Sequence, residues 1–444
     1  MDWDSRQMKL RVAGLLCCGA ALVWAGGPLE NAELFAVTDK PALSYAPGER
    51  MAFTFAVTNA RPFDAGAYTV AWTRTGDDGK TEKGRVPLVF GGTFTVETSL
   101  DVPGFVRVYA EAQDAAGKPV AFEKPGNGAY RSLFCDCGAA VRPDMIEEVP
   151  EPTDFDAFWA KRRARLAKVP LKADLKACPS DDPAVRIWQV SVACAGPRPV
   201  TGHLTAPAAP GKYPAEIAFD GYSAYPPAHE RAPKSGPKDR LRLHINAHGY
   251  ELGREDEYYE EFYRSIMSGG HTYAKDSDWQ NRDPETAYFS GMTYRVMRAV
   301  EYLASRPEWD GRRLTAVGVS QGGLQTIWAA ALDHRVTVAL PGVPWCCDMA
   351  GTEKGRLRGP WYVKGTPALG YFDPIYMARR IPATCRVEIT RAGLGDYTCP
   401  PSGVALLWKN LRCPAEIMWE QCSTHGFTRP RTHETFVFRK GPEE

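Results

Sequence analysis

The chain has 444 residues, of which 44% are hydrophobic, 24% charged and 11% aromatic, an ordinary globular composition with length for two or three domains and a large core. Lys and Arg total 54 against 53 Asp and Glu, a net charge of +1, which argues against a nucleic-acid or other polyanion binder. Twelve Trp and nineteen Tyr are many, and the aromatic rings not spent on the core suit sugar rings.

In chain order, the first element reads as a targeting signal. Lys9 and Arg11 precede an apolar run over residues 12–25, and Val23-Trp24-Ala25 supplies small residues at the cleavage positions, which predicts a secretory signal peptide over residues 1–25. The run is too short for a membrane span, so a secreted or periplasmic protein with no stable span after cleavage is expected, an uncleaved anchor being the alternative. Met8 is the alternative initiator. Cys17 and Cys18 raise lipoprotein anchoring, against which Gly14-Leu15-Leu16 lacks the small residue directly ahead of a lipidated Cys.

Ten cysteines follow residue 25, an even number that permits disulfides in an exported chain. Cys135 with Cys137, Cys346 with Cys347, and Cys178 with Cys194 are the local candidates. Cys135-x-Cys137 has no second pair at zinc-like spacing, so no metal site is expected.

Residues 31–140 are β-patterned. Runs rich in Val, Phe, Tyr and Thr at 33–38, 50–58, 67–75, 85–100 and 105–113 are separated by turn signals at Ala46-Pro47-Gly48-Glu49, Gly76-Asp77-Asp78-Gly79, Val102-Pro103-Gly104 and Asp114-Ala115-Ala116-Gly117. Strands at that spacing predict a small all-β, immunoglobulin-like sandwich domain, without a candidate catalytic group and with a spacer or packing role. A proline-bearing acidic linker over 143–153 opens the second domain, 143–444. There Asp154 is placed to cap a helix over 155–166 whose Phe155, Phe158, Trp159 and Leu166 share one face and whose basic side is read as solvated. Strands over 185–193, 200–206, 215–219, 241–247, 314–319, 386–390 and 415–419 alternate with helices over 294–305, 324–332 and 402–411. This order predicts an α/β fold, a mostly parallel central sheet wrapped by helices, with its site at the carboxyl ends of the strands.

The chemistry centres on Gly318-Val319-Ser320-Gln321-Gly322-Gly323, where an apolar strand turns sharply into a helix. Gly-x-Ser-x-Gly in that context is a nucleophile elbow: strand and helix approach closely only if the residues flanking the serine lack a Cβ. The alternative is an ordinary turn serine. A serine hydroxyl needs a base to take its proton and a carboxylate to orient that base, and in an α/β-hydrolase sheet these follow in the order Ser, acid, His. Asp396, just beyond a strand, is the leading acid, with Asp348 and Asp373 as rivals. His425 lies in a loop after the 415–419 strand and is the leading base; His433 is the fallback, and His334 reads as a helix-end cation. The oxyanion formed during attack needs two N–H donors. Gln321, at the helix start, gives one, and the second falls on Asp220-Gly221-Tyr222 or on His248-Gly249-Tyr250.

From about Asp154 onward the chain resembles the acetyl xylan esterase/cephalosporin C deacetylase group, carbohydrate esterase family seven. The motifs are Asp154-Phe155-Asp156-x-Phe158-Trp159, Arg298-Ala299-Val300-Glu301, Gly318-x-Ser320-Gln321-Gly322-Gly323, Tyr371-Phe372-Asp373 and Gly393-Leu394-x-Asp396-x-x-Cys399-Pro400-Pro401-Ser402. The resemblance implies an α/β-hydrolase fold, catalytic roles for Ser320, Asp396 and His425, and oxyanion donors at Gln321 and Tyr222. It implies no cofactor. Three segments depart from the family pattern: Asp220 stands where the family has His, Ala247-His248-Gly249-Tyr250 replaces an Arg-Gly-Gln segment, and Gly426 follows His425 in place of Glu. The stretch between Tyr222 and Leu241 is also rich in proline.

The expected activity is that of a secreted serine esterase acting on acetylated oligosaccharides such as xylan fragments. Its partner is an acetylated carbohydrate rather than nucleic acid; an oligomer is compatible with the family, although the first domain could block the family's ring-like assembly. A prolyl-oligopeptidase-like peptidase is the rival enzyme, against which about a hundred leading residues are too few for a β-propeller. A carbohydrate-binding or envelope protein on a retired hydrolase fold is the rival outside catalysis.

Overall fold

The structure is a computed structural model that describes residues 27–123, 130–222, 232–267, 273–275, 280–425 and 434–441. The expected signal peptide and His433 lie outside the described residues.

Nine strands come first: β1 (Glu33–Thr38), β2 (Met51–Thr58), β3 (Tyr68–Gly76), β4 (Thr81–Pro87), β5 (Thr93–Thr98), β6 (Gly104–Asp114), β7 (Ala121–Glu123), β8 (Tyr130–Ser132) and β9 (Phe134–Val141). They form antiparallel sheets ordered β1-β2-β5 and β4-β3-β6-β9, with β7 and β8 paired apart. The single run expected over 85–100 is two strands, because the chain turns at Gly91, whose φ of 70° is left-handed. The pattern had not marked β9. All but the first of its residues are buried, so it lacks the in-out alternation by which a half-buried strand is recognised.

After α1 (Phe155–Ala167) come β10 (Ala173–Cys178), β11 (Val185–Val192), β12 (Val200–Pro207), β13 (Tyr213–Phe219), β14 (Leu241–Ile245), α2 (Asp256–Ile266) and α3 (Tyr288–Ala304). Then follow β15 (Trp309–Val319), α4 (Gln321–Leu332), β16 (Val338–Gly342), α5 (Pro374–Met377), β17 (Arg386–Gly393), α6 (Pro401–Asn410), β18 (Ala415–Glu420) and β19 (Thr435–Lys440). One sheet holds all ten of these strands in the order β10-β11-β12-β14-β13-β15-β16-β17-β18-β19. Its centre, from β14 to β18, is parallel throughout. Antiparallel strands flank it on both sides, so the sheet as a whole is mixed around a parallel centre. The parallel strands all end at one edge, where β15, β17 and β18 deliver the loops that matter below.

Two expectations for α1 are corrected. Asp154 sits at the helix start, but its carboxylate makes no cap to the helix N–H groups and instead accepts the Tyr371 hydroxyl at 2.5 Å. The basic side is not wholly solvated: Arg162 is buried, lies 4.0 Å from the centre of the Tyr294 ring and donates to the Ser290 carbonyl. The favourable ring contact and hydrogen bond offset the cost of burying that guanidinium.

The all-β part and the α/β part share one apolar core, running from Leu29 and Phe53 through Phe105 and Val141 to Leu394 and Trp419. Polar groups also cross between them. Asp77, buried in the turn after β3, accepts from the backbone N–H of Phe105 at 2.9 Å, from that of Leu357 at 3.0 Å and from the Ser402 hydroxyl at 2.8 Å. Burial pushes its carboxyl pKa up, and the three donors oppose the rise. Replacement by Ala strands two backbone N–H groups, so Asp77→Ala should lower unfolding stability by about 2–4 kcal/mol. Urea denaturation measures this; a midpoint within error of the parent would contradict it.

Candidate active site

Ser320 follows directly on β15 and precedes α4. Its backbone is left-handed, at φ 61° and ψ −117°, a conformation that costs a residue with a Cβ of order 1–3 kcal/mol. Three backbone bonds hold it there: its N–H donates to the Gly342 carbonyl at 2.8 Å, and its own carbonyl accepts from Leu324 and Trp345, each at 3.0 Å. The flanking glycines are required sterically. A Cβ on Gly318 would lie 2.5 Å from the carbonyl carbon of Gly322, and one on Gly322 would lie 2.4 Å from the Phe219 carbonyl oxygen. Strand, turn and helix therefore close on one another only with hydrogen at both positions.

Asp396 lies three residues past β17 and is 1% exposed. Its Oδ1 accepts from the backbone N–H groups of Thr398 at 2.9 Å and Cys399 at 3.0 Å, and its Oδ2 is 2.8 Å from His425 Nδ1. With one carboxylate oxygen fixed by the backbone, the other presents a single lone-pair direction to the imidazole. His425 comes five residues after β18, and the two loops are stitched together where Leu394 N–H donates to the Glu420 carbonyl at 2.9 Å and Gly395 N–H to that of Ser423 at 3.1 Å.

Cys399 lies beside this pair. Its sulfur lies within 4.8 Å of ligand atoms of Asp396 and His425. Burial pushes the thiol pKa well up, and the Asp396 carboxylate adds to the rise. Metal ligation needs a thiolate and free carboxylate lone pairs. The Asp396 carboxylate already accepts from three donors, which leaves it little capacity for a further ligand. Cys399 lies inside the Gly393 to Ser402 motif, where nothing along the chain marks its approach to His425. The structure leaves all ten cysteines after residue 25 as free thiols, including the three pairs considered from sequence.

Residues 144–354 match the family model described as acetyl xylan esterase (AXE1), and residues 293–439 match that of the prolyl oligopeptidase family. The acetyl esterase Axe7A of Xylanibacter ruminicola is 27% identical over 310 residues, 67% of this chain and 69% of that protein. Among solved structures, the acetyl xylan esterase of Paenibacillus sp. R4 is 25% identical, with a TM-score of 0.50, over 64% of this chain and 92% of that one. The chain is a carboxylic ester hydrolase related to the acetyl xylan esterases. Acetyl xylan esterase 1 of Thermoanaerobacterium sp. JW/SL YS485, 21% identical with a TM-score of 0.52 over 66% of this chain and 94% of that one, adds the same α/β-hydrolase fold.

Within this esterase the topology separates the two segments proposed for the second N–H donor. β13 is the direct neighbour of β15, with Phe219 opposite Gly318, so residues 219–222 run beside the elbow. β14, which leads to His248, is one strand further away, and the N–H groups of His248 and Gly249 are already donated to Asn246 Oδ1 at 3.0 and 2.6 Å. Tyr222 itself stacks on Tyr273 at 4.3 Å, meets Trp345 and Trp361 edge-on, and donates its hydroxyl to the Tyr273 carbonyl at 2.8 Å. Gln321 begins α4 with its side chain fully buried, and Tyr273 donates to its Oε1 at 2.6 Å. No motif along the chain marks Tyr273, Trp345 or Trp361 as neighbours of Tyr222.

The rival acids have other duties. Asp348 is paired with Arg356, and Asp373 accepts backbone N–H groups of Asp348, Met349 and Ile375. Burial and the neighbouring Asp348 push the Asp373 carboxyl up to about 7, a poor partner for an imidazolium. His334 is exposed in the turn after α4, at the opposite end of that helix from Ser320. Because the backbone at residue 320 suits glycine, Ser320→Gly should raise stability by about 1 kcal/mol, read as a higher melting temperature, while Ser320→Ala should not. Equal melting temperatures for the two variants would contradict the strain assigned to the elbow.

Proposed function

We propose that Ser320, His425 and Asp396 form a catalytic triad that removes acetyl groups from acetylated xylan oligosaccharides. The observation that carries this reading is the 2.8 Å contact between His425 Nδ1 and Asp396 Oδ2, taken together with a strained serine at the elbow. Ser320 Oγ attacks the acetyl carbonyl while His425 Nε2 takes its proton, and Asp396, accepting the Nδ1–H, fixes the tautomer and stabilises the imidazolium. The N–H groups of Gln321 and Tyr222 receive the oxyanion. As the ester C–O bond breaks, His425 returns its proton to the departing sugar oxygen; water activated by the same histidine then cleaves the acetyl-enzyme and releases acetate.

The sugar preference rests on the kinship with acetyl xylan esterases and on the aromatic wall of Tyr222, Trp345 and Trp361, whose last member is 39% exposed and suits stacking against a pyranose face. The match to the prolyl oligopeptidase family over residues 293–439 supports a second reading as a peptidase. The leading nine strands form two small antiparallel sheets and a hairpin, which favours the esterase over enzymes that carry a propeller. We read residues 31–140 as an immunoglobulin-like sandwich, on the evidence of its sheets of three and four strands, and residues 143–444 as the catalytic domain. Export is inferred from the basic and apolar pattern of residues 1–25.

Acetate release from acetylated xylan tests the assignment. Ser320→Ala should lower kcat by about 10⁴-fold or more and Asp396→Asn by about 10⁴-fold, with folding nearly intact, and aminoacyl chromogenic substrates should be poor. Undiminished release by Ser320→Ala, or faster turnover of aminoacyl than acetyl substrates, would contradict it.

A further inference from the structure

The all-β part lies against the two loops that carry Asp396 and His425. Gln421, fully buried and four residues before His425, clamps the backbone of β9 with its side-chain amide. Its Nε2 donates to the Gly138 carbonyl at 2.8 Å and its Oε1 accepts from the Gly138 N–H at 3.0 Å. Both backbone hydrogen-bonding groups of Gly138 are thus answered by one side chain, as a neighbouring strand would answer them.

The next residue is more constrained still. Cys422 has φ 54°, a left-handed backbone costly for any residue with a Cβ. Its sulfur accepts from the Ala36 N–H at 3.2 Å and lies 3.3 Å from the Ala36 carbonyl, to which it donates, placing it on β1; Cys135 Sγ of β9 is 3.4 Å away. The acid loop rests on the same surface. A Cβ on Gly138 would lie 2.6 Å from the Leu394 carbonyl oxygen, and one on Gly395 would lie 2.1 Å from that of Asp136. Asp136 is tied to Arg107 of β6, whose guanidinium also covers the ring of Tyr397, the residue after Asp396.

We propose that β1 and β9 are a positioning element of the esterase site, with Gln421 and Cys422 as the positioning residues that aim His425. The proposal rests on the reading of Asp396 and His425 as acid and base. A base carried on a loop loses catalytic power with small displacements. Here the loop's unfavourable turn is held from outside the α/β part by two backbone clamps and a sulfur contact, all within five residues of the imidazole. The all-β part thereby acts on the chemistry without touching substrate.

The test uses the full-length chain and p-nitrophenyl acetate, with kcat, KM, the rate of fluorophosphonate labelling of Ser320 and the urea midpoint measured for each variant. Gln421→Ala should lower kcat and the labelling rate by about 10- to 100-fold with KM within about twofold. Cys422→Ala should lower kcat by about tenfold, and Cys422→Ser, which keeps both hydrogen bonds to Ala36, should restore it to within about threefold. Glu97→Gln, at an exposed ion pair of β5 with Arg50, is the control and should match the parent. If Gln421→Ala does not fold, the Cys422 pair decides the matter. Parental kcat and labelling in Gln421→Ala and Cys422→Ala, with only the urea midpoint lowered, would overturn the proposal and leave a structural interface. Undiminished activity in Ser320→Ala would instead overturn the triad reading on which it stands.

Discussion

A residue with a side chain, forced into a left-handed turn between a strand and a helix that touch through glycine, is the constraint on which the rest of this structure depends. Ser320 can hold φ 61° only because Gly318 and Gly322 let β15, α4 and the end of β13 meet at backbone distance. The turn leaves the hydroxyl at the carboxyl edge of the parallel strands and starts a helix whose first N–H groups face the same space. The residues proposed to act with it come from separate strands: residues 219–222 follow β13, Asp396 follows β17 and His425 follows β18.

The elbow is rigid because its neighbours on the sheet hold it. Loops have no such support, and the loops after β17 and β18 acquire theirs from three sources. They bond to each other through Gly395 and Ser423, they bond internally through the N–H groups that Asp396 accepts, and they lie on β1 and β9 of the all-β part. The shared apolar core and the Asp77 bridge make the two parts one packed body rather than two units on a tether. A leading module that reads as a spacer from sequence is thus in direct contact with the segments that carry Asp396 and His425.

What could be read in the sequence follows from where each signal originates. The elbow is legible because its steric requirement is local: two glycines and a serine at fixed spacing, between a β-rich run and a helix-forming one, all within about fifteen residues. Asp396 is legible for a similar reason, standing after a strand and before a proline-stiffened turn. The segments of β9, Gln421 and Cys422 are not. β9 is buried on both faces and so shows no alternation, and the partners of Gln421 and Cys422 lie 283 and 386 residues away, where no pattern along the chain points to them. The cysteines teach the same lesson, since sequence favoured neighbours such as Cys135 and Cys137 whereas the structure brings Cys135 to Cys422. Asp154 shows that position alone does not make a cap when a tyrosine hydroxyl competes for the carboxylate.

The most direct test of the account is a crystal structure of the full-length chain after reaction with an alkyl fluorophosphonate. The account predicts phosphorus bonded to Ser320 Oγ, the phosphonyl oxygen within about 3 Å of the N–H groups of Gln321 and Tyr222, and His425 facing the adduct with Asp396 behind it. An adduct on another residue, or His425 turned away from a phosphonylated Ser320, would contradict it.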